Sequence, residues 1–272
     1  MPFTLSHPAA VLPLLHRPFV PLALVAGAVA PDLPYFVNLP VTAHTWYEPL
    51  LNATFTHSLK GILLAGVPSV VLLVLLCRFL APPVRDLLPV TVDYTGGGAR
   101  APRGRLSSAF WFLLSALIGL ATHVLWDGIT HGNSRMVAAL PLLQTELVSG
   151  LTANRFLQHA STVLGALALV LWCVLTVRSG KLSLSRASVP PARATRRLAI
   201  TLGIVLVSTM PALSSVLIMR AAQGPLGLEL ALTEFLKSVI PTAMLALTVY
   251  SLCWYLLRWA RKPGAPAQAV RD

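Results

Sequence analysis

Five runs of apolar residues, near 58–80, 107–129, 156–177, 198–219 and 236–257, dominate the pattern of this chain. Each is long enough for the roughly 20 residues that a helix needs to cross a hydrocarbon core, and together they predict five spanning helices. The first forty residues follow a different pattern. HPAAVLPLLHRPFVPLALVAGAVAPDLPYF is as apolar as the later runs but is interrupted by Pro13, Pro18, Pro21, Pro31 and Pro34. Proline lacks an amide hydrogen and breaks a helix interior, so two half-helices meeting at residues 16–18 are expected, each about 11 residues and ~16 Å long. Such a hairpin dips in and returns, leaving His7 and Asp32 at one level. Broken backbone at membrane depth is tolerated where protein or a wet cavity covers it, which suits the wall of a site.

The expected fold is therefore all-α: a polytopic transmembrane helical bundle of five spanning helices plus an N-terminal re-entrant helical hairpin. It divides into a membrane domain over 1–177, a basic loop over 178–197, two supporting helices over 198–257 and a tail over 258–272. Segments 82–106 and 179–197, rich in Gly, Pro, Ser and Arg, read as loops. The stretch 132–155 reads as a short connection whose run MVAALPLL is too brief to span. No removable signal peptide is expected at MPFTLSHPAA.

Composition agrees with the pattern: 272 residues, 56% hydrophobic and 11% charged, with a mean hydropathy of +0.73. The formal charge of +12 could suggest nucleic acid, but the basic residues lie between the apolar runs, where they act as topology signals. A nucleic-acid role is discounted. Arginines and lysines crowd the segments after the first and third runs and the tail, which places those segments in the cytoplasm and the other loops outside. Cys77, Cys173 and Cys253 each sit inside an apolar run, so no disulfide framework or thiolate metal site is indicated.

On this topology the chemistry-bearing residues collect on the outer side. Asp32 ends the hairpin, His57 opens the first span, His123, Asp127 and His131 close the second, and His159 opens the third. The spacing of four in ATHVLWDGITH puts His123, Asp127 and His131 on one helical face. Ionisable side chains at membrane depth are expensive and mark function, and neutral imidazole with carboxylate is the donor set that zinc and similar divalent ions take. His7, Asp32, His57, His123, Asp127, His131 and His159 are thus candidate metal ligands. His16 and His44 are read as structural. Lys60, Arg135 and Arg155 read as flanking charges, and Trp46, Tyr47, Trp126, Trp254 and Trp259 as an interfacial aromatic belt.

The opening MPFTLSHPA, the APDLPYF segment, FTHSL at 55–59 and the ATHVLWDGITH block resemble a bacterial family of integral membrane proteins, domain of unknown function 4184, over roughly residues 1–175. More distantly, the order of His and Asp residues is similar to predicted membrane-bound metal-dependent hydrolases and to the zinc-dependent phospholipases C and single-strand nucleases. That similarity implies a main site of Asp32, His57, His123 and Asp127, a second ion at His7 with Asp127, and a third at His131 with His159. The chain lacks the N-terminal tryptophan of the soluble enzymes, and Val163 stands where they carry a carboxylate, so one or two ions, zinc by this resemblance, are expected. The implied activity is hydrolysis of phosphate esters in a lipid or lipid-linked substrate at the outer face of the bacterial cytoplasmic membrane, with Asp127, His123, His57 and Asp32 catalytic. A divalent-cation or proton carrier and a non-catalytic, metal-stabilised scaffold remain open from the residues alone.

Overall fold

The computed structural model describes residues 4–37, 45–94, 104–186 and 190–260. It is an all-α protein with five helices long and apolar enough to span a membrane: Leu59–Leu87, Arg105–Thr130, Ala153–Arg178, Pro191–Gln223 and Leu228–Ala260. The expected spans are all present, each longer than its apolar run: the first continues past its run at the C-terminal end and the other four at both ends. The chain divides into two compact units, one holding residues up to Leu76 with Thr91–Ser185, the other Cys77–Val90 with the residues from Arg186 on.

In the first unit the N-terminal hairpin is present as expected. A 3₁₀ arm, Thr4–Leu14, carries Pro8 and Pro13, and it is followed by an α-helix, Pro21–Val29, and a 3₁₀ turn, Ala30–Tyr35. The tighter 3₁₀ winding of the first arm suits a segment whose prolines cannot feed an i→i−4 ladder. The arm lies on the third long helix, and the α-helical arm lies on the second.

Small residues set these approaches. A Cβ on Gly27 would stand 2.5 Å from the Ala116 carbonyl oxygen, one on Gly119 2.3 Å from the Leu24 oxygen, and one on Gly165 2.9 Å from Ser6 Cβ. Close backbone contact through Gly and Ala is how helices associate where lipid removes the usual hydrophobic drive. Ala23, Ala26 and Ala30 complete the seam against Ala116 and Leu120. At the hairpin tip the Val20 amide donates to Ser115 Oγ at 2.9 Å, which fixes the hairpin along the second helix.

The first long helix opens with a capped turn, Leu59–Gly61, and a π-helical turn, Ile62–Gly66, and a second capped turn, Ala53–Thr56, precedes it. Asn52 Oδ1 accepts from the Phe55 amide at 3.1 Å, and Ser58 Oγ accepts from the Gly61 amide at 3.0 Å, both N-cap bonds that satisfy free helix-end donors. His57 lies between them. The connection after the second long helix holds two short helices, Arg135–Ala139 and Pro141–Gln144, with no further spanning element among the described residues.

The second unit corrects the loop expected from residue 82. The first long helix continues through Pro82 and Pro83 to Leu87. Pro83 has no amide hydrogen for the Phe79 carbonyl four residues earlier, and the Tyr255 hydroxyl supplies the missing donor at 3.1 Å while its ring stacks on Phe79. The loop expected over 179–197 differs too: Leu182–Arg186, nearly all in the first unit, pairs with Val90–Tyr94 as a two-stranded sheet, and the fourth long helix starts at Pro191. Residues 95–103 of the expected first loop lie outside the described residues. The fourth and fifth long helices pack on each other, with Thr242 Oγ1 donating to the Ser208 carbonyl at 3.2 Å.

Candidate metal centre

Three stretches of the first unit bring their polar residues to one point. The 3₁₀ turn after the hairpin delivers Asp32, the capped turn before the first long helix delivers His57, and the second long helix delivers His123 and Asp127. One ligand atom from each of these four residues lies within 4.8 Å of the others. Asp32 and His123 are fully buried and Asp127 is 6% exposed. The His57 side chain, 21% exposed, is the most open of the four.

Each imidazole is braced from behind. His123 Nδ1 donates to the Ala28 carbonyl oxygen at 2.7 Å, and His57 Nδ1 donates to the Ala53 oxygen at 2.8 Å. A carbonyl can only accept, so Nδ1 carries a proton in either charge state, and each imidazole, once neutral, turns an Nε2 lone pair into the cluster, the tautomer a metal ligand needs. Asp32 is braced in the same sense: Thr4 Oγ1 donates to its Oδ2 at 2.5 Å, leaving Oδ1 to face the imidazoles. Thr56 Oγ1, bonded to the Pro31 carbonyl at 2.8 Å, ties the His57 turn to the Asp32 turn.

The distances at the centre discriminate between a hydrogen-bonded cluster and an ion cage. His57 Nε2 lies 3.5 Å from Asp32 Oδ1 and 3.3 Å from Asp127 Oδ2; His123 Nε2 lies 3.4 Å from each of the same oxygens. Charge-assisted N–H···O bonds are shorter, about 2.7–2.9 Å. A tetrahedral ion with bonds of about 2.0–2.1 Å holds its ligand atoms roughly 3.4 Å apart, and the four measured separations match that edge. His123 Nε2, Asp32 Oδ1, Asp127 Oδ1 and His7 Nε2 are moreover buried with no hydrogen-bond partner. Groups of that kind are costly to bury; a divalent cation among the four would satisfy His123 Nε2 and Asp32 Oδ1, while Asp127 Oδ1 and His7 Nε2 face each other at 3.4 Å beside it. The donor set fits.

His7 and His131 flank this group. His7 stacks on His123 with ring centroids 3.9 Å apart, and its Nε2 lies 3.4 Å from Asp127 Oδ1. His131 Nδ1 donates to the Asp127 backbone oxygen at 3.1 Å and stands 3.6 Å from Asp127 Oδ2. Asp127 is thus the carboxylate that faces both the main four and His7. His159 is exposed on the third long helix and is not one of the four residues gathered at the centre.

Burial works against charge on His57, but Asp127 and Asp32 outweigh it and push its imidazole up to about 9. Burial would also raise the Asp32 carboxyl, yet the imidazoles of His123 and His57 and the Thr4 hydroxyl hold it well below the usual carboxylate range. At His7 burial prevails, with His123 adding to it, and the imidazole falls to about 4.

Sequence reasoning missed the braces. Thr4 and Thr56 precede candidate ligands by three residues and by one in FTLSH and FTHSL, and a threonine close before a histidine in an apolar stretch was the available signal. The Ala28 and Ala53 carbonyls carry no side-chain signature. Asn154, buried, donates to the Thr130 carbonyl at 3.1 Å and so holds the end of the second long helix where His131 follows. Trp126, read as part of a belt, donates its indole N–H to Ser161 Oγ at 3.1 Å.

A helical protein with five helices fit to span a membrane and a buried Asp/His group that could hold a metal ion is the class these observations define. The chain belongs to the family described as a domain of unknown function (DUF4184), which matches residues 1–252. That match covers the hairpin, the whole centre and most of the fifth long helix. Neither the curated proteins nor the solved structures contain a match to the chain.

Proposed function

We propose that this protein is a membrane-embedded metal-dependent hydrolase, with zinc as the ion and phosphate esters of lipid or lipid-linked molecules as the substrate class. The observation that carries the reading is the convergence of two Nε2 lone pairs and two carboxylate oxygens, separated by 3.3–3.5 Å, with their far sides tied to backbone carbonyls and Thr4. A bound divalent ion supplies Lewis acidity and a water of lowered pKa. Asp32, His57, His123 and Asp127 would hold it. Asp127 Oδ1, buried without a hydrogen bond and turned toward His7, orients the attacking water. The partly exposed His57 marks the side from which substrate enters. The centre lies where His57 precedes the first long helix and Asp127 ends the second, away from the arginine-rich segments, so the positive-inside rule favours an extracytoplasmic, head-group-level opening.

One observation favours a second reading, a metal-stabilised scaffold. Structural zinc sites are closed by four protein ligands, whereas catalytic ones keep a position open, and four ligands are available here. Elemental analysis of the purified protein, followed by hydrolysis of bis(p-nitrophenyl) phosphate and of phosphatidylglycerol vesicles, separates the two. The hydrolase reading expects stoichiometric zinc and turnover that Asp127→Asn lowers by about 100-fold or more, the scale of losing a main electrostatic element of a site. Bound zinc without turnover identifies the scaffold, and turnover that survives Asp127→Asn sinks the mechanism.

A further inference from the structure

A cavity bordered by charged residues lies within the second unit. It has a volume of about 520 Å³ and is lined by Asp86, Arg193, Arg196, Tyr250, Trp254 and Arg258 among others, a size inside the roughly 300–1,000 Å³ range of ligand pockets. The fourth long helix contributes Arg193, Arg196 and Ile200, one face of its first turns; the fifth contributes Tyr250, Trp254, Leu257 and Arg258, one face of its last turns.

Its charges do not balance. Among the described residues that line it the one acid, Asp86, is already used: Arg197 Nη2 donates to its Oδ1 at 2.9 Å and Trp254 Nε1 donates to its Oδ2 at 3.1 Å. Arg193, Arg196 and Arg258 remain as three cations on one cavity. Arg258 lies over the Trp254 ring, 4.4 Å from its centroid, which holds the guanidinium in place without neutralising it. Arg197 keeps its Nε and Nη1 buried and without a hydrogen-bond partner.

The helix end adds to the imbalance. The fourth long helix starts at Pro191 with no side-chain cap and no acid in its first turn, so its positive dipole end faces arginines rather than the carboxylates that normally stabilise it. Cations gathered at a helix N-terminus are unfavourable alone and become favourable around an anion. Arginine's planar fork matches phosphate oxygens, and Leu257 with Ile200 supplies an apolar border.

We propose that this cavity is a binding site for a phosphate group, carried by an anionic phospholipid head group or present as free phosphate. It is independent of the metal centre. The test uses the full-length purified protein. In one arm, native mass spectrometry from equimolar phosphatidylglycerol and phosphatidylcholine micelles measures which lipid is retained; in the other, thermal unfolding is followed with inorganic phosphate against chloride at matched ionic strength. The expected result is retention of phosphatidylglycerol over phosphatidylcholine, lowered roughly fivefold per arginine removed, the weight of one basic residue near an anionic surface. Arg193→Gln with Arg196→Gln, and separately Arg258→Gln, should both show it. Arg178→Gln, an equal loss of charge outside the cavity, should leave the preference intact. A phosphate-specific rise in Tm that the same variants abolish, without lipid preference, supports the site with a soluble ligand. Equal retention of both lipids with no phosphate effect, or an Arg178→Gln variant as impaired as the others, overturns it.

Discussion

At the residue scale the centre depends on which nitrogen of each histidine carries the proton. The Ala28 and Ala53 carbonyls settle that for His123 and His57, and Thr4 settles which oxygen Asp32 turns inward. Partners of this kind tune a metal site strongly, by about 10–100-fold in affinity. Thr4→Val, which keeps the volume and removes the donor, is expected to weaken zinc binding by roughly that factor in competition with a chromogenic chelator; unchanged affinity would deny Thr4 its role. Protons compete with the ion for the same atoms. His57, raised to about 9 by its aspartates, is protonated at neutral pH before the ion binds, so zinc affinity should climb with pH until about that value. Calorimetry in two buffers of different ionisation enthalpy should then report proton release at pH 7. The candidate ligands were legible as ionisable residues in apolar runs; the braces were not, because two of them are backbone atoms that every residue possesses.

Individual elements show where pattern reading stops. The hairpin was readable because its prolines forbid a straight span, and the structure bends the chain at the predicted place. The continuation of the first long helix through Pro82 and Pro83 was not, since it relies on Tyr255, more than 170 residues away in sequence, to satisfy the Phe79 carbonyl. The seam of the hairpin on the second long helix was hidden for a related reason: Gly27 and Gly119 are informative only once they face each other. Gly119→Val would drive its Cβ into the Leu24 carbonyl oxygen, 2.3 Å from the ideal position. Overpacking of this sort costs about 1–3 kcal/mol. A lower Tm together with loss of bound zinc is expected, because the displaced hairpin carries the Ala28 brace and Asp32 with it. Retained zinc at a lowered Tm would show that the seam and the centre are uncoupled.

For the whole molecule, the decisive quantity is orientation. Charge bias was read from the sequence alone, and it assigns the strand Leu182–Arg186 to the cytoplasm and the short helix Pro141–Gln144 to the opposite side. A green fluorescent protein fused after Lys181 should fluoresce, and alkaline phosphatase fused after Gln144 should be active. The reverse pattern would turn the metal centre toward the cytoplasm and remove the argument for an outer-leaflet substrate. The family match to residue 252 extends beyond the stretch in which the motifs are recognisable, which means that the fourth and most of the fifth helices belong to the same inherited unit of sequence even though they contribute no ligand.

The four donors sit on three pieces of chain that also meet in one buried cluster of Ala23, Ala26, Ala30, Val70, Val74, Ala116 and Leu120. By thermodynamic reciprocity, whatever free energy the cage lends to a captured cation is returned as cohesion between those pieces. On the proposed reading, loading with metal would therefore also tighten tertiary assembly: in a cell starved of the ion, the turn that carries Asp32 would be held less firmly to the turn that carries His57.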